Sequence, residues 1–286
     1  MISVTDEVFM LFVRNGYMVK SISGCFNIIA RKGARILLVK VLRCANNITR
    51  EHAIEMKKTA LMLGAATIIV ETGDSNLLDN IIYKRFGLHT VSKHTLKNAL
   101  VGQLMFIKSD RSGLIASLDG QKLRELREQK EFSLHFLAEK IGVSSRMVLK
   151  YESNNSEISL QRMNRLVDLF GSGIFQHVNL FDSQTGDIET TNKLQISFKY
   201  NNLGFEVRET MKVPFDIIAR GNDDIILTTV GDKVDRDIDA VAELLEVDDL
   251  AIFEKKKPQD IASIRKDDFM GLETAKDLLK VVREGS

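Results

Sequence analysis

The chain has 286 residues, of which 44% are hydrophobic and 28% are charged, and its formal net charge is +1. This length predicts two or three domains with ample material for buried cores, and the composition is that of a soluble globular protein. The small net charge excludes a protein that coats nucleic acid through bulk electrostatics, so any affinity for nucleic acid must come from a local surface.

The sequence carries no signal for export or for membrane insertion. The first residues lack the basic flank, long apolar run and cleavage site of a signal peptide, and no stretch reaches the length of a membrane span. Cys25 and Cys44 lie in apolar surroundings and are expected to be buried and reduced. We therefore expect a cytoplasmic protein. Among the histidines only His89 and His94 have a spacing that metal ligands use, and we expect a surface role for them. Phosphate loops are absent, so we expect no cofactor and no metal.

Residues 1–118 predict a mixed α/β domain. A helix is expected from Thr5 to Asn15, and a second helix is expected between a Thr49 cap and Gly64. The predicted strands are 17–19, 26–30, 35–42 and 67–71. Further along, 79–91 and 94–100 predict helical and turn segments, and 105–108 and 114–118 predict a hairpin closed by the turn at 110–113.

The strand pair FNIIA and RILLVKV resembles the core of the restriction-endonuclease fold. Active members of that family carry Asp on the first strand and (Asp/Glu)-x-Lys on the next, so that two carboxylates hold Mg²⁺ and the lysine positions the attacking water. By this resemblance Asn27 occupies the Asp position, Leu38 the acidic position and Lys40 the lysine position. Asn is a poor ligand for Mg²⁺ and Leu is none. The resemblance therefore implies a degenerate, non-catalytic domain.

Residues 119–182 predict a small domain of four helices. The first helix is expected over 120–129. Ser133 is the expected N-cap of the second helix, and Gly142 ends it because glycine can adopt the left-handed conformation of a tight turn. The fourth helix is expected to follow a Ser159 cap.

The third helix of this domain is expected to present a polar face. Ser144 is its predicted cap, and Val148 and Tyr151 are its predicted buried residues, which leaves Ser145, Arg146, Met147 and Lys150 facing away from the core. The predicted DNA-binding residues of this region are Ser144, Ser145, Arg146, Met147, Lys150, Asn154 and Asn155. The two asparagines follow the helix and are candidate phosphate contacts.

The segment SLHFLAEKIGVSSRMVLKYE is similar to the helix-turn-helix of the lambda-repressor and Cro type. By this resemblance Ser145, Arg146 and Lys150 occupy the base-reading positions, and Arg127 and Glu152 form an ion pair between the first and third helices. Leu134 departs from the family, which often has a phosphate-binding Gln there. Amphipathic helical domains with basic residues on one face also occur in proteins that bind no nucleic acid, and 120–171 has nine basic against seven acidic residues.

Residues 183–195 are polar and predict a linker, and 196–286 repeat the start of the chain. FNIIAR at 26–31 recurs as FDIIAR at 215–220. In this second nuclease-like α/β domain, Asp216 occupies the first metal position, but Leu227 and Thr229 stand at the acidic and lysine positions. The second copy is therefore also expected to hold no metal, and the sequence does not decide whether the two copies pair within one chain or between chains.

The arrangement as a whole resembles a family of archaeal helix-turn-helix transcriptional regulators. The resemblance implies a sequence-specific regulator that binds double-stranded DNA and is not an enzyme. Because a single helix-turn-helix buries little surface on DNA, we expect a homodimer. Two alternatives remain open at this point: a DNA-targeted nuclease, and an adaptor that binds a protein such as a basal transcription factor.

Overall fold

A computed structural model describes residues 3–73, 77–103, 105–153, 156–183, 192–235 and 237–284. The chain forms two compact units. The first unit joins Met1–Asp74 to Phe181–Ser286, and the second unit is Ser75–Leu180. The predicted domains at 1–118, 119–182 and 196–286 were defined by the sequence repeat and the helix-turn-helix motif, whereas the two units are defined by compactness. The predicted domain boundaries stay predictions.

The amino-terminal part of the first unit has four strands in a sheet, with one α-helix before the first strand and one α-helix between the third and fourth strands. Its elements are α1 (Val4–Arg14), β1 (Met18–Ser21), β2 (Ile28–Lys32), β3 (Arg35–Leu42), α2 (Arg50–Leu63) and β4 (Ala66–Glu71). The strands lie in the order β1-β2-β3-β4, with two antiparallel pairings followed by a parallel one. As predicted, the Thr49 side chain caps α2, and Gly64 ends it with φ 62°.

The second unit combines a sheet with the helical domain. Its elements are β5 (Ile81–Arg85), β6 (Leu88–Ser92), α3 (Lys93–Leu100), β7 (Ile107–Asp110), β8 (Gly113–Ser117), α4 (Gly120–Gln129), α5 (Leu134–Ile141), α6 (Ser145–Ser153), β9 (Glu157–Ser159) and α7 (Leu160–Phe170). The strand order is β6-β5-β7-β8-β9. The described residues of the predicted 119–182 domain thus include one short strand, β9, which pairs antiparallel with β8.

The prediction of helical and turn segments over 79–91 was wrong. The strands β5 and β6 form an antiparallel hairpin there. Phe86 and Gly87 form its two-residue turn, and both have positive φ, 48° and 81°. Such a turn matches the twist of the flanking strands, and this turn chemistry outweighed the mixed periodicity of the segment.

The carboxyl-terminal part of the first unit repeats the strand pattern of the amino-terminal part. Its elements are α8 (Gln195–Asn202), β10 (Glu206–Glu209), β11 (Ile217–Arg220), β12 (Ile225–Val230), α9 (Ile238–Leu245), β13 (Asp248–Phe253), β14 (Ser263–Arg265), α10 (Lys266–Gly271) and α11 (Ala275–Glu284). The order is β10-β11-β12-β13-β14, with two antiparallel pairings and then two parallel ones. Most of the predicted linker at 183–195 lies outside the described residues.

The two copies pair with each other within the first unit, and the pairing is reciprocal. Helix α2 of the first copy packs on β10 and β11 of the second, and α9 of the second copy packs on β1 and β2 of the first. Arg31 donates to the carbonyl of Leu244 at 3.1 Å, and its counterpart Arg220 donates to the carbonyl of Met62 at 3.4 Å. These carbonyls belong to the last turns of α9 and α2. The halves are therefore related like the subunits of a two-fold dimer.

Among the described residues, no helix is both long and apolar enough to cross a membrane. Both cysteines are free thiols. Cys25 is buried as predicted, whereas Cys44 is only partly buried.

Candidate nucleic-acid interface

The turn between α5 and α6 is fixed by local hydrogen bonds. The Ser133 hydroxyl accepts from the backbone N–H of Phe136 at 3.0 Å and caps α5. Gly142 ends α5 at φ 73°, and the N–H groups of Gly142 and Val143 both donate to the carbonyl of Ala138 at 2.9 Å. The Ser144 hydroxyl then accepts from the N–H of Met147 at 3.3 Å, as expected of a helix cap. These bonds set the direction in which α6 leaves the turn.

A buried ion pair joins α6 to α4. Arg127 donates from Nε to Glu152 Oε1 at 2.6 Å and from Nη2 to Glu152 Oε2 at 3.0 Å, which confirms the predicted pair. A third donation goes to the carbonyl of Phe132 at 3.0 Å. The hydrogen bonds that Arg127 donates to Glu152 raise the pKa of Arg127, so the guanidinium stays charged. A bidentate, largely buried pair of this kind holds one helix at a fixed angle to the other.

The exposed surface of α6, which we call the reading arc, holds the three predicted base-reading residues. Val148 and Tyr151 are buried, as predicted. With 3.6 residues per turn, the outward positions follow one another as Ser145, Leu149, Ser153, Arg146 and Lys150 over an arc of about 140°. Arg146, Leu149, Ser153 and Lys150 are exposed, and Ser145 is partly exposed.

Three of the predicted site residues are placed differently or not described. Met147 is partly buried and packs against the core of the helical domain, so the prediction that it faces away from the core was wrong. At 200° from Ser145 around the helix, it lies on the inner side of α6. Asn154 and Asn155 lie outside the described residues. Ser144, the residue before α6, is exposed.

Two residues of this surface were not predicted. Leu149 lies in the middle of the reading arc and is 50% exposed. Its spacing of four from Ser145 was the signal in the sequence. Arg165 of α7 lies beside the turn, because a Cβ added to Gly142 would be 2.6 Å from Arg165 Nη1. The sequence held no signal for that approach, since it depends on the packing of α7 against α5. Leu134, at the Gln position of the resembling family, packs partly against the core.

At the three positions that hold Mg²⁺ in the resembling family, the side chains of the two copies do not form a metal site. In the first copy, the Asn27 Oδ1 atom accepts from the N–H of Val41 at 2.9 Å, Leu38 is fully buried, and Lys40 Nζ donates to the carbonyl of Gly24 at 2.8 Å. Burial lowers the pKa of Lys40. Each side chain at the three family positions is therefore apolar or already engaged by the backbone.

The second copy differs at these positions, because it keeps an acidic residue, Asp216, and its buried Thr229 Oγ1 atom has no hydrogen-bond partner among the described residues. The Asp216 Oδ2 atom accepts from the N–H of Val230 at 2.7 Å, which is the same bond as the Asn27 bond in the first copy. Leu227 and Thr229 are buried. In the part of the chain that the structure describes, no group of three or more His, Cys, Asp or Glu side chains lies close enough to hold a metal ion. The residues present do not fit the Mg²⁺ of an active nuclease.

Comparison with known proteins agrees with this fold. Residues 1–105 match the family model of the PD-(D/E)XK superfamily domain, and residues 123–175 match that of the helix-turn-helix. The chain thus combines a PD-(D/E)XK superfamily domain at its amino-terminal end with a helix-turn-helix domain in the middle.

Relatives that align over most of the chain include archaeal proteins named "Putative HTH-type transcriptional regulatory protein". One from Thermococcus gammatolerans is 27% identical and aligns over 91% of this chain and 88% of its own length. One from Pyrococcus furiosus is 26% identical over 91% and 90%, and one from Archaeoglobus fulgidus is 29% identical over 92% and 90%. No solved structure matches the chain.

Proposed function

We propose that the protein is a sequence-specific, DNA-binding regulator of transcription that acts as a homodimer. The observation that carries the proposal is the reading arc of α6, which presents Arg146 and Lys150 one turn apart on a helix whose direction is fixed by the Gly142 turn and by the Arg127–Glu152 pair. A helix held in this way can enter the major groove as a rigid body. The names of the archaeal relatives support the same function.

A homodimer is the assembly that supports regulatory affinity best. One α6 helix reads only a few base pairs, and dimers of this motif bind two half-sites about 34 Å apart. The two nuclease-like copies already pair within the chain, so their mutual surface is occupied. Two molecules of the protein must then form a homodimer through another surface.

The test of the proposal is selection of bound sequences from random duplex DNA by the purified full chain at about 150 mM salt, where bulk attraction to phosphate is partly suppressed. We expect enrichment of a palindromic motif with half-sites one helical turn apart. An enriched motif without symmetry would contradict the homodimer but not DNA reading. Absence of any enriched motif would contradict the function itself.

Arg146 is the expected main base reader, through a bidentate contact to guanine. We expect Arg146→Ala to weaken binding to the selected site by about 1–3 kcal/mol and to relax the preference at one position in each half-site. The matched control is Arg265→Ala, which removes an exposed arginine of β14 outside the helical domain. Binding curves for the site and its single-base variants decide the matter, and an unchanged preference in Arg146→Ala would contradict the assignment.

A nuclease is the alternative that the PD-(D/E)XK domain raises. The side chains at the family's metal positions argue against it, because neither copy has the full set of acidic and lysine side chains there. Among the described residues, no group of three or more His, Cys, Asp or Glu side chains could hold a metal ion. We therefore propose that the domain is not catalytic. Incubation of supercoiled plasmid with the protein and Mg²⁺ or Mn²⁺ is expected to give no nicking, and nicking above a protein-free control would support the enzyme.

An adaptor is favoured by one specific observation, a patch of aromatic rings on the helical domain. Phe132 lies 4.7 Å from Phe136 and 6.0 Å from Phe170 between ring centroids, and Phe136 is 38% exposed. Partly exposed aromatic residues are enriched in protein interfaces. If the protein is an adaptor, Phe136→Ser abolishes retention of a transcription factor while Arg146→Ala has no effect on it. If the protein is a DNA-binding regulator, Arg146→Ala weakens its binding to DNA and Phe136→Ser does not.

A further inference from the structure

An apolar side chain lies among the polar residues of the reading arc. Leu149 is 50% exposed, although it belongs to a helix that buries Val148 and Tyr151 completely or nearly so. Single exposed leucines are common on protein surfaces, so exposure alone means little. What distinguishes Leu149 is its position relative to the polar reading residues.

The geometry of α6 places Leu149 between two of those residues. At 100° per residue, its side chain leaves the helix about 40° from Ser145 on one side and about 60° from Arg146 on the other. It is the fifth residue of α6, which begins at Ser145. In helix-turn-helix proteins, the amino-terminal residues of the recognition helix are the ones that contact base edges. A helix that brings Arg146 to a base edge therefore also brings Leu149 into the major groove.

The major groove offers one apolar group to such a side chain. Every base edge there shows hydrogen-bond donors or acceptors, and thymine shows a 5-methyl group in addition to its acceptor. A leucine in a groove of donors and acceptors loses water contacts without forming hydrogen bonds, unless it meets that methyl group. We propose that Leu149 is a specificity-determining residue that contacts the 5-methyl group of a thymine next to the base contacted by Arg146. The inference rests on the proposed DNA-binding function.

The test removes the methyl group alone. In the duplex selected by the wild-type protein, each thymine of a half-site is replaced in turn by deoxyuridine, which pairs with adenine in the same way but lacks the 5-methyl group. We expect the wild-type protein to lose about fourfold in affinity at one thymine per half-site, the value of one buried methyl-sized group. At that position Leu149→Ala is expected to bind the thymine and deoxyuridine duplexes equally well.

Control variants separate this contact from general effects. Val101→Ala removes an exposed apolar side chain of similar kind that lies outside α6 and is 69% exposed, and it is expected to keep the full response to deoxyuridine. Leu149→Ala is also expected to keep the guanine preference attributed to Arg146 and the thermal midpoint of the wild type. These readouts show that the variant is folded and still bound in register.

The outcomes distinguish the inference from the function on which it rests. If a motif is enriched but no thymine responds to deoxyuridine, or if Leu149→Ala responds as the wild type does, the inference is wrong and the DNA-binding function stands. An enriched half-site without any thymine overturns the inference in the same way. If no motif is enriched at all, the function and the inference fall together.

Discussion

Gly24 shows how closely the two nuclease-like copies approach each other. It has φ 146°, and a Cβ added to it would overlap the carbonyl oxygen of Lys212 from the other copy. The next residue, Cys25, donates its N–H to the same carbonyl at 2.8 Å. Burial raises the pKa of the Cys25 thiol to about 12, so the thiol is neutral at physiological pH. At this point the two copies therefore meet through backbone atoms.

We expect Gly24→Ala to destabilise the first unit by roughly 2–4 kcal/mol, because the added methyl group requires both a strained backbone and a shift of the Lys212 segment. Urea unfolding followed by far-UV circular dichroism measures the change. Gly271→Ala is the matched control, since its Cβ would meet nothing within 4 Å and its φ is not positive. Equal stability of the two variants would contradict the close approach.

At the scale of single elements, local signals predicted much of the structure. The helix-turn-helix elements α4, α5 and α6 were predicted nearly to the residue, because Ser133, Gly142 and Ser144 act on their immediate neighbours. The hairpin of β5 and β6 was missed because its Phe86-Gly87 turn lacks the usual Asn or Asp. The strand β9 was missed because three residues give too short a pattern, and its pairing with β8 joins distant parts of the sequence.

The Arg127–Glu152 pair joins α4 to α6, and its loss should destabilise the packing of these two helices. We expect Glu152→Ala to destabilise the second unit by about 3–5 kcal/mol, because it leaves a largely buried guanidinium without its partner. Replacing both residues, Arg127→Met with Glu152→Leu, should restore most of that stability, since no buried charge remains.

Chemical denaturation with a probe in the helical domain measures these changes. Glu139→Ala, which removes an exposed carboxylate of α5, serves as the control and is expected to stay close to the wild type. A double variant as unstable as Glu152→Ala would show that packing, rather than the unpaired charge, dominates the loss.

At the scale of the whole chain, the sequence revealed the repeat but not its consequence. The repeat of FNIIAR as FDIIAR can be recognised in the sequence. The reciprocal hydrogen bonds of Arg31 and Arg220 to the ends of α9 and α2 can be recognised only in the structure. Pairing within or between chains leaves the same sequence pattern. The compact unit that results joins segments separated by more than a hundred residues, which no local signal encodes.

This pairing predicts that the two parts of the first unit stay together when the chain is cut. We expect a chain with a site-specific protease sequence inserted in the 183–195 segment to elute after cleavage as one species under native conditions. The packing of α2 on β10 and β11 and of α9 on β1 and β2 holds the fragments together. Intact mass under native conditions checks the result, and separation of the fragments at micromolar concentration would contradict it.

The covalent link between the two copies also changes what a single mutation can do. In a dimer of identical subunits, every substitution is present twice, so a lost carboxylate or lysine disappears from both sites at once. In this chain each half mutates alone, and its neighbour continues to support the shared fold. Asn27 with Lys40 in one half, and Asp216 with Thr229 in the other, therefore depart from the Asp and Lys of an active nuclease at different positions.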